Sequence, residues 1–235
     1  MKGKRVMEIA GINAGIIASG SGTDANAVMS AYKIGFMHEL ADLRLISTKK
    51  GAGCLDKAEY NNVKNIVIEC KTKQEVPDFN RRLSQYVKGN NIQLIILAGC
   101  VWEIYPIEGV LMINIHPADT LKYGGRHMYG LTVHERVLSD IMDAIYREIK
   151  KPEDDFETYV TVHEVGFPID QGAVVMRAPV KIPNKIIIGL NSEILSLKDA
   201  ADKLQKHVLE YEWIFLPAGV RAAARKILDK TRQLN

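Results

Sequence analysis

Cysteine, long apolar runs and an excess of charge of either sign are all scarce in this chain. Its three cysteines are odd in number and include no C-x-x-C pair, which argues against a disulfide framework or a cysteine metal site. The six histidines show no ligand spacing such as H-E-x-x-H, so we expect no metal. No apolar run approaches the roughly 20 residues that cross a bilayer, and the start lacks a signal-peptide core. We therefore expect a cytoplasmic protein with reduced thiols and no membrane partner.

The charge balance and the length limit the kinds of partner and the number of domains that we expect. A net charge of +3, from 31 basic and 28 acidic residues, is too small to predict a nucleic-acid partner. The 235 residues, 47% hydrophobic and 25% charged, are ordinary for a globular protein. Because no biased linker or repeat interrupts them, we predict a single domain over residues 1–235. The basic leader Met1–Gly11 is assigned to no element.

Apolar runs alternate with segments of helical period along the chain. The predicted strands are Ala14–Ala18, Leu43–Ile46, Asn65–Glu69, Leu94–Leu97 and Leu111–His116. The predicted helices are Ala25–Phe36, Cys54–Asn61, Pro77–Lys88, Gly130–Leu138 and Leu195–Leu234. Unbroken β-branched runs are typical of parallel strands that are covered on both faces. The pattern predicts an α/β fold with a doubly wound, mostly parallel, Rossmann-like sheet and helices on both faces.

A polar pair stands where one predicted strand ends. In Leu111–Pro117, Asn114 and His116 are two residues apart and therefore share a face of the strand, which Pro117 terminates. Ligands usually bind at the carboxyl ends of parallel strands. A carboxamide can donate to an oxyanion and an imidazole can carry a proton. The alternative is a capped turn with a satisfied histidine.

Residues 161–172, together with this polar pair, form a sequence pattern that is typical of a known enzyme family. Asn114-x-His116-Pro117, then Thr161-Val162-His163 and then Asp170-x-Gly172 together resemble the folate-dependent formyltransferase family, over about residues 14–217. The resemblance implies that Asn114, His116 and Asp170 are catalytic. It also implies 10-formyltetrahydrofolate as co-substrate, with transfer of its formyl group to a primary amine. Glycinamide ribonucleotide, an intermediate of purine biosynthesis, is the first candidate for that amine.

The glycine-rich turn after the first strand has two interpretations besides a plain βα turn. Its backbone N–H groups open a helix and suit a phosphate, and the resemblance places the substrate phosphate there, on Gly20, Ser21, Gly22 and Thr23. The turn also fits the dinucleotide pattern G-x-G-x-x-A, so a nicotinamide-dependent oxidoreductase is the rival class. That pattern expects an acidic residue after the second strand. The second strand here ends in Ser47-Thr48-Lys49-Lys50, so the acid is missing.

The resemblance also implies further binding residues. The folate is expected to contact Val101, Trp102, Glu103, Ile104, Gly166 and Phe167, and the ribose to contact Glu212. Trp102 departs from the family, which often has Arg there, and plain packing is its alternative. For Glu212 the alternative is the solvated face of an amphipathic helix.

Other departures lie beside the expected site. Residues 118–130, after His116, differ from the family, and Asp24 replaces an Asn of the phosphate turn. Altered loops around a retained trio indicate an altered substrate. The alternatives are therefore a formyltransferase acting on another amine such as an amino sugar, a formyltetrahydrofolate hydrolase, and a non-catalytic ligand-binding relative. Because the chain ends at Asn235, no tRNA-binding domain and no nucleic acid are expected, and a homodimer is left open.

Overall fold

The computed structural model describes residues 11–234, and the leader lies outside them apart from Gly11. The chain divides into two compact units. Unit 1 comprises the described residues up to Leu111 together with those from Val220 onward, and unit 2 comprises Met112–Gly219. The single domain expected from composition stays a prediction.

Four strands of unit 1 form a parallel array. They are β1 (Ile12–Ala18), β2 (Leu40–Ser47), β3 (Lys64–Val67) and β4 (Ile92–Leu97), in the order β3-β2-β1-β4. In the register, Ile16 pairs with Leu45 on one side and with Ile96 on the other. All three side chains are fully buried. The central strands are apolar without alternation because both of their faces are covered.

The helices of unit 1 follow their strands as predicted. They are α1 (Thr23–Lys33), α2 (Gly53–Tyr60) and α3 (Val76–Gly89), with a short 3-10 turn at Lys73–Glu75. The helix expected over Ala25–Phe36 is shifted toward its amino end. It ends at Lys33 because Gly35, at a φ of +78°, leaves the helical conformation and its N–H bonds the Tyr32 carbonyl.

Unit 2 contains the antiparallel part of the fold. Its elements are β5 (Leu111–His116), α4 (Thr120–Tyr123), α5 (Leu131–Tyr146), β6 (Glu157–Glu164), β7 (Val174–Lys181) and α6 (Asn184–Asn191). Both the β5–β6 and the β6–β7 pairings are antiparallel. Helix α6 was not predicted. The predicted fold class, an α/β chain with a mostly parallel sheet, is confirmed.

The last helix begins where the sequence places its cap. Helix α7 spans Leu197–Leu234, and the Ser196 hydroxyl accepts the Asp199 N–H at 3.1 Å, as in a capping motif. Pro217 lies inside the helix. Within residues 11–234, no helix is long and apolar enough to span a membrane.

Unit 1 also contains a buried carboxylate, Glu39, between α1 and β2. Its side chain is 5% exposed and accepts hydrogen bonds from Arg221 and Arg225 of α7, the latter at 2.7 Å. Burial alone would raise the pKa of Glu39, but the two guanidinium groups outweigh it and lower this pKa from 4.5 to about 2. The ion pair is therefore a stabilising link between two distant parts of the sequence.

We expect Glu39→Gln to lower the free energy of unfolding at neutral pH by about 2 kcal/mol, since the arginines lose their charged acceptor and Arg225 is half exposed. In the wild type this contribution is complete above pH 4.5 and is lost as the pH falls toward 2. Urea unfolding between pH 2 and 7 measures it. Asp78→Asn, which removes an exposed carboxylate paired with Arg81 and Arg82, is the control. Equal stability of Glu39→Gln and the wild type at pH 7 would contradict the assignment.

Candidate active site

The expected catalytic pair lies on one face of the β5–β6 ladder. Asn114 pairs with His163 and His116 pairs with Thr161. Directly opposite residues project from the same face of an antiparallel pair, and residues two apart on one strand do so as well. All four side chains therefore share one face, and each except Asn114 is buried. The Thr161 hydroxyl donates to the Ala118 carbonyl at 2.8 Å, which fixes the turn that follows Pro117.

His116 has a different neighbour at each ring nitrogen. Its side chain is 4% exposed, and Nε2 lies 2.8 Å from the backbone carbonyl of Tyr123. A carbonyl can only accept, so Nε2 carries a proton. Nδ1 lies 3.7 Å from Oδ2 of Asp170. The structure thus brings His116 and Asp170 together across a gap of 54 residues, as the sequence motif predicts.

The backbone of the D-x-G turn sets the position of Asp170. This residue has a φ of +61°, a left-handed conformation that Asp and Asn tolerate better than most residues. Its Oδ2 accepts the Gly125 N–H at 3.1 Å. Two residues on, a Cβ added to Gly172 would lie 1.8 Å from the Glu164 carbonyl oxygen. Only glycine allows that close approach, and the turn depends on it.

Burial has the largest effect on the charge state of His116. Burial lowers the pKa of His116, and the Asp170 carboxylate and the Tyr123 carbonyl offset only part of that effect. A positive charge on His163 would lower it further. Resting His116 is therefore a neutral base with its free lone pair on Nδ1, facing Asp170.

His163, which the motif Thr161-Val162-His163 includes without an assigned role, also lies beside Asp170. Its Nδ1 donates to the Glu164 carbonyl at 2.9 Å, and its Nε2 lies 3.5 Å from Oδ1 of Asp170. The side chain is 1% exposed. The motif Thr161-Val162-His163 contains this histidine, but only the β5–β6 register shows that it lies on the same face as Asn114 and His116.

A third histidine, His134 of α5, lies behind the site. Burial and the neighbouring His116 lower the pKa of His134 to about 4, so it is neutral at physiological pH. Both of its ring nitrogens are buried and make no hydrogen bond to protein. The imidazole therefore contributes no charge to the site under working conditions.

The glycine-rich turn that is expected to bind phosphate lies in unit 1, between β1 and α1, and is called the phosphate turn below. Gly20 and Ser21 are exposed. Gly22 has a φ of +70° and precedes α1, and a Cβ there would lie 2.4 Å from the Cβ of Cys54. Thr23 is the first residue of α1. The turn is therefore exposed at Gly20 and Ser21, directly before the first N–H groups of α1.

Asp24 lies within α1 and not at its cap position. The helix begins at Thr23 rather than near Ala25, and its cap position is Gly22, which has no side chain to make a cap hydrogen bond. Asp24 is instead an acidic residue of the first turn, half buried. Its carboxylate therefore adds negative charge to the helix end that was expected to bind phosphate.

The segment expected to contact folate in unit 1 is tied to the phosphate turn through Ser19. The Ser19 hydroxyl accepts from the Val101 N–H at 3.2 Å and from the Thr48 hydroxyl at 2.8 Å. Val101 and Glu103 are exposed, Trp102 is half buried and Ile104 is buried. Val101, Trp102 and Glu103 are therefore the members of this segment with accessible side chains, whereas the side chain of Ile104 is part of the core.

The remaining expected binding residues lie in unit 2. Gly166 is half buried and Phe167 is 96% exposed, on the β6–β7 loop that carries Asp170. Glu212 is only 8% exposed on α7, so the interpretation as a solvated-face residue is wrong. Among the described residues, no group of His, Cys, Asp and Glu side chains could hold a metal ion.

Comparisons with known proteins agree with these motifs. No family model matches the chain. It is 27% identical over 185 residues to the trifunctional purine biosynthetic protein adenosine-3 of Chironomus tentans, covering 76% of this chain and 12% of that protein. It is also 27% identical over 145 residues to the chloroplastic phosphoribosylglycinamide formyltransferase of Arabidopsis thaliana, covering 59% and 44%. The matches thus span less than half the length of either relative.

Solved structures share the fold. The glycinamide ribonucleotide transformylase 1 of Symbiobacterium toebii superposes with a TM-score of 0.67 at 20% identity, covering 92% of this chain and 89% of that one. The corresponding protein of Geobacillus kaustophilus gives 0.64 at 24% identity, covering 91% and 98%. In sequence and in fold alike, the chain resembles the folate-dependent formyltransferases, and phosphoribosylglycinamide formyltransferase among them, which confirms the resemblance expected from its motifs.

Proposed function

We propose that this protein transfers the formyl group of 10-formyltetrahydrofolate to a primary amine. The observation that carries the proposal is the buried His116–Asp170 pair, with Asn114 on the same strand face. Sequence similarity to formyltransferases supports it. An oxidoreductase is not favoured, because no acidic residue follows β2 to hold a nucleotide ribose.

The three residues suit the requirements of formyl transfer. The amine nitrogen attacks the formyl carbon, an oxyanion develops, and the bond from that carbon to the folate nitrogen breaks. The Asn114 carboxamide is the donor that stabilises the oxyanion, a contribution of about 3 kcal/mol for one preset donor. His116 accepts the proton that the amine loses and returns it to the folate nitrogen, while Asp170 stabilises the protonated ring. The proton that the amine loses is the one that the folate nitrogen gains, and the electron pair of the broken carbon–nitrogen bond stays on that nitrogen. The step is therefore balanced without a metal.

We further propose glycinamide ribonucleotide as the amine, which places the protein in purine biosynthesis. The formyltransferase of Arabidopsis thaliana to which the chain is similar favours this substrate, and the turn Gly20–Thr23, exposed at Gly20 and Ser21, suits its phosphate. Glu212 would bind the ribose hydroxyls, and Val101, Trp102 and Phe167 would contact the folate. The altered segment after His116 and the acidic residue Asp24 favour an amino sugar or another amine as the second candidate.

Release of tetrahydrofolate from 10-formyltetrahydrofolate tests the proposal. We expect release to depend on the amine, and glycinamide ribonucleotide to give the highest kcat/KM in a panel that includes amino sugars. Release at the same rate without any amine would identify a hydrolase instead. Absence of release with every amine and without amine would overturn an enzymatic role for the trio.

Asp24 is expected to weaken phosphate binding. Two unit charges about 5 Å apart at an effective dielectric near 20 interact by roughly 3 kcal/mol. We therefore expect Asp24→Asn to bind glycinamide ribonucleotide about tenfold more tightly or better, with no change for the dephosphorylated compound. Calorimetric titration of both compounds measures this effect, with Asp78→Asn, an acid in the first turn of α3, as control. Equal or weaker binding of the phosphorylated compound would refute the repulsion.

A further inference from the structure

Residues 118–130, in which this chain departs from the formyltransferase pattern, are held in place by contacts within unit 2. At the start of this segment, the Arg177 guanidinium of β7 donates to the Asp119 carboxylate at 2.8 Å. Further along, the Tyr123 hydroxyl donates to the Asp140 carboxylate of α5 at 3.1 Å. The course of the segment is therefore fixed before it reaches the loop that follows α4.

A third contact brings the segment beside the proposed catalytic carboxylate. The Gly125 N–H donates to Oδ2 of Asp170 at 3.1 Å. Because consecutive Cα atoms are about 3.8 Å apart, the Cα of Arg126 lies within about 8 Å of that oxygen. An arginine side chain at this position starts close to the reacting groups.

Arg126 lies at the corner of a tight turn. The Met128 N–H donates to the Gly125 carbonyl at 3.0 Å, so Arg126 and His127 are the two central residues of the turn. His127 has a φ of +71°, in the left-handed range that type II turns require at this position and that glycine usually provides. The turn thus holds a residue with a backbone conformation that costs free energy, and the Arg126 side chain is exposed at its corner.

Arg126 also differs from the neighbouring cations in having no acidic partner. Lys122 and Arg136 both pair with Asp140, at 3.0 and 3.4 Å. Within residues 11–234, the guanidinium of Arg126 takes part in no ion pair and no hydrogen bond. Its five N–H donors are therefore available to a ligand.

We propose that Arg126 is a specificity-determining residue that binds the phosphate of a phosphorylated amine substrate. The inference rests on the proposed formyl transfer and specifies its amine. The planar guanidinium matches two phosphate oxygens in a bidentate contact. The amine nitrogen must reach Asp170 and His116 to react, so the phosphate lies several bonds from that nitrogen, as in a sugar phosphate or a ribonucleotide. The Asp170 carboxylate repels such a substrate, and the charge of Arg126 offsets the repulsion.

Matched pairs of amines test this preference. The pairs are glycinamide ribonucleotide with its dephosphorylated form, and glucosamine 6-phosphate with glucosamine. We expect the wild type to favour the phosphorylated member of one pair by about tenfold or more in kcat/KM. The pair that shows the preference identifies the source of the phosphate. Equal kcat/KM for both members of each pair would overturn the proposal.

Arg126→Gln is expected to lose the preference. The loss should fall on KM for the phosphorylated amine, with kcat and the unphosphorylated amine within about twofold of the wild type, because the contact binds ground state and transition state alike. Arg126→Lys, which keeps the charge but not the planar fork, should retain part of the preference. Equal losses for both members of a pair would show a general effect on the site and would overturn the proposal. So would a rise in KM for 10-formyltetrahydrofolate alone, which would assign Arg126 to the co-substrate.

Calorimetric titration of the same pairs separates this inference from the proposed function, because it needs no turnover. Phosphate-dependent binding that Arg126→Gln abolishes, in a protein that releases no tetrahydrofolate with any amine, would support the role of Arg126 and refute formyl transfer. Amine-dependent release without a phosphate preference would support formyl transfer and refute the role of Arg126.

Arg147→Gln is the matched control. Arg147 is an exposed arginine of the same unit that directly follows α5. At about 1.5 Å per residue, the helix separates it by roughly 25 Å from Gly130, at the end of the altered segment. We expect its phosphate preference to equal that of the wild type. A loss as large as in Arg126→Gln would show that net charge, and not the position of Arg126, sets the preference.

Discussion

Asp170→Asn is expected to reduce kcat by about a hundredfold or more while the fold is retained. Asparagine adopts the φ of +61° observed at this position as readily as aspartate does. Its side-chain oxygen can still accept the Gly125 N–H. What it loses is the negative charge that stabilises protonated His116, so the effect falls on the step that moves the proton. Steady-state kinetics and a thermal melt of the same preparation measure both parts of this expectation.

His116→Gln is expected to have an effect at least as large. Alanine is a less informative choice, because it would leave a void at a side chain that is 4% exposed and would leave the Tyr123 carbonyl without its donor. The glutamine amide can supply that donor but cannot take up a proton. Asp155→Asn, an exposed partner of Lys181, is the control for a general effect of removing charge. If either site variant kept a near-normal kcat on the true substrate, the assignment of the trio would be wrong.

The other prediction with a large effect concerns Gly172→Ala, which adds a single methyl group. Gly172→Ala would place a Cβ 1.8 Å from the Glu164 carbonyl oxygen, so the backbone of the D-x-G turn must move. Overpacking that requires a backbone shift costs about 3 kcal/mol, or roughly a 6–12 °C fall in melting temperature for a protein of this size. Because Asp170 lies in the same turn, activity should fall together with stability. Calorimetry and the tetrahydrofolate-release assay measure the two losses.

Gly166→Ala provides the stability control for this substitution. The same loop carries Gly166, but a Cβ there would meet the Gly172 backbone at 3.6 Å, an ordinary contact. We expect its melting temperature to stay within about 2 °C of the wild type. A Gly172→Ala protein that melted at the wild-type temperature would show that the turn adapts easily, and would remove the close-approach argument.

The sequence by itself determined the order of elements and most of their type. Apolar runs such as Leu94–Leu97 predicted buried parallel strands, and the structure extends that run to Ile92–Leu97. Spacing alone put Asn114 and His116 on one face, because a strand has a period of two. Element ends were less well predicted. Helix α1 begins two residues before its predicted start, since a left-handed glycine begins the helix without a side-chain cap.

Only the tertiary structure decided the chemistry of the site. The distance from His116 to Asp170, the carbonyl that fixes each imidazole tautomer and the second histidine on Asp170 all depend on strand register and on a left-handed turn. Burial likewise lowers the pKa of His116, and by enclosing Glu212 it excludes the solvated-face interpretation of that residue. Pattern and spacing follow from local geometry and can be read along the chain. Proton affinity depends on desolvation and on charges distant in sequence, which exist only once the chain has folded.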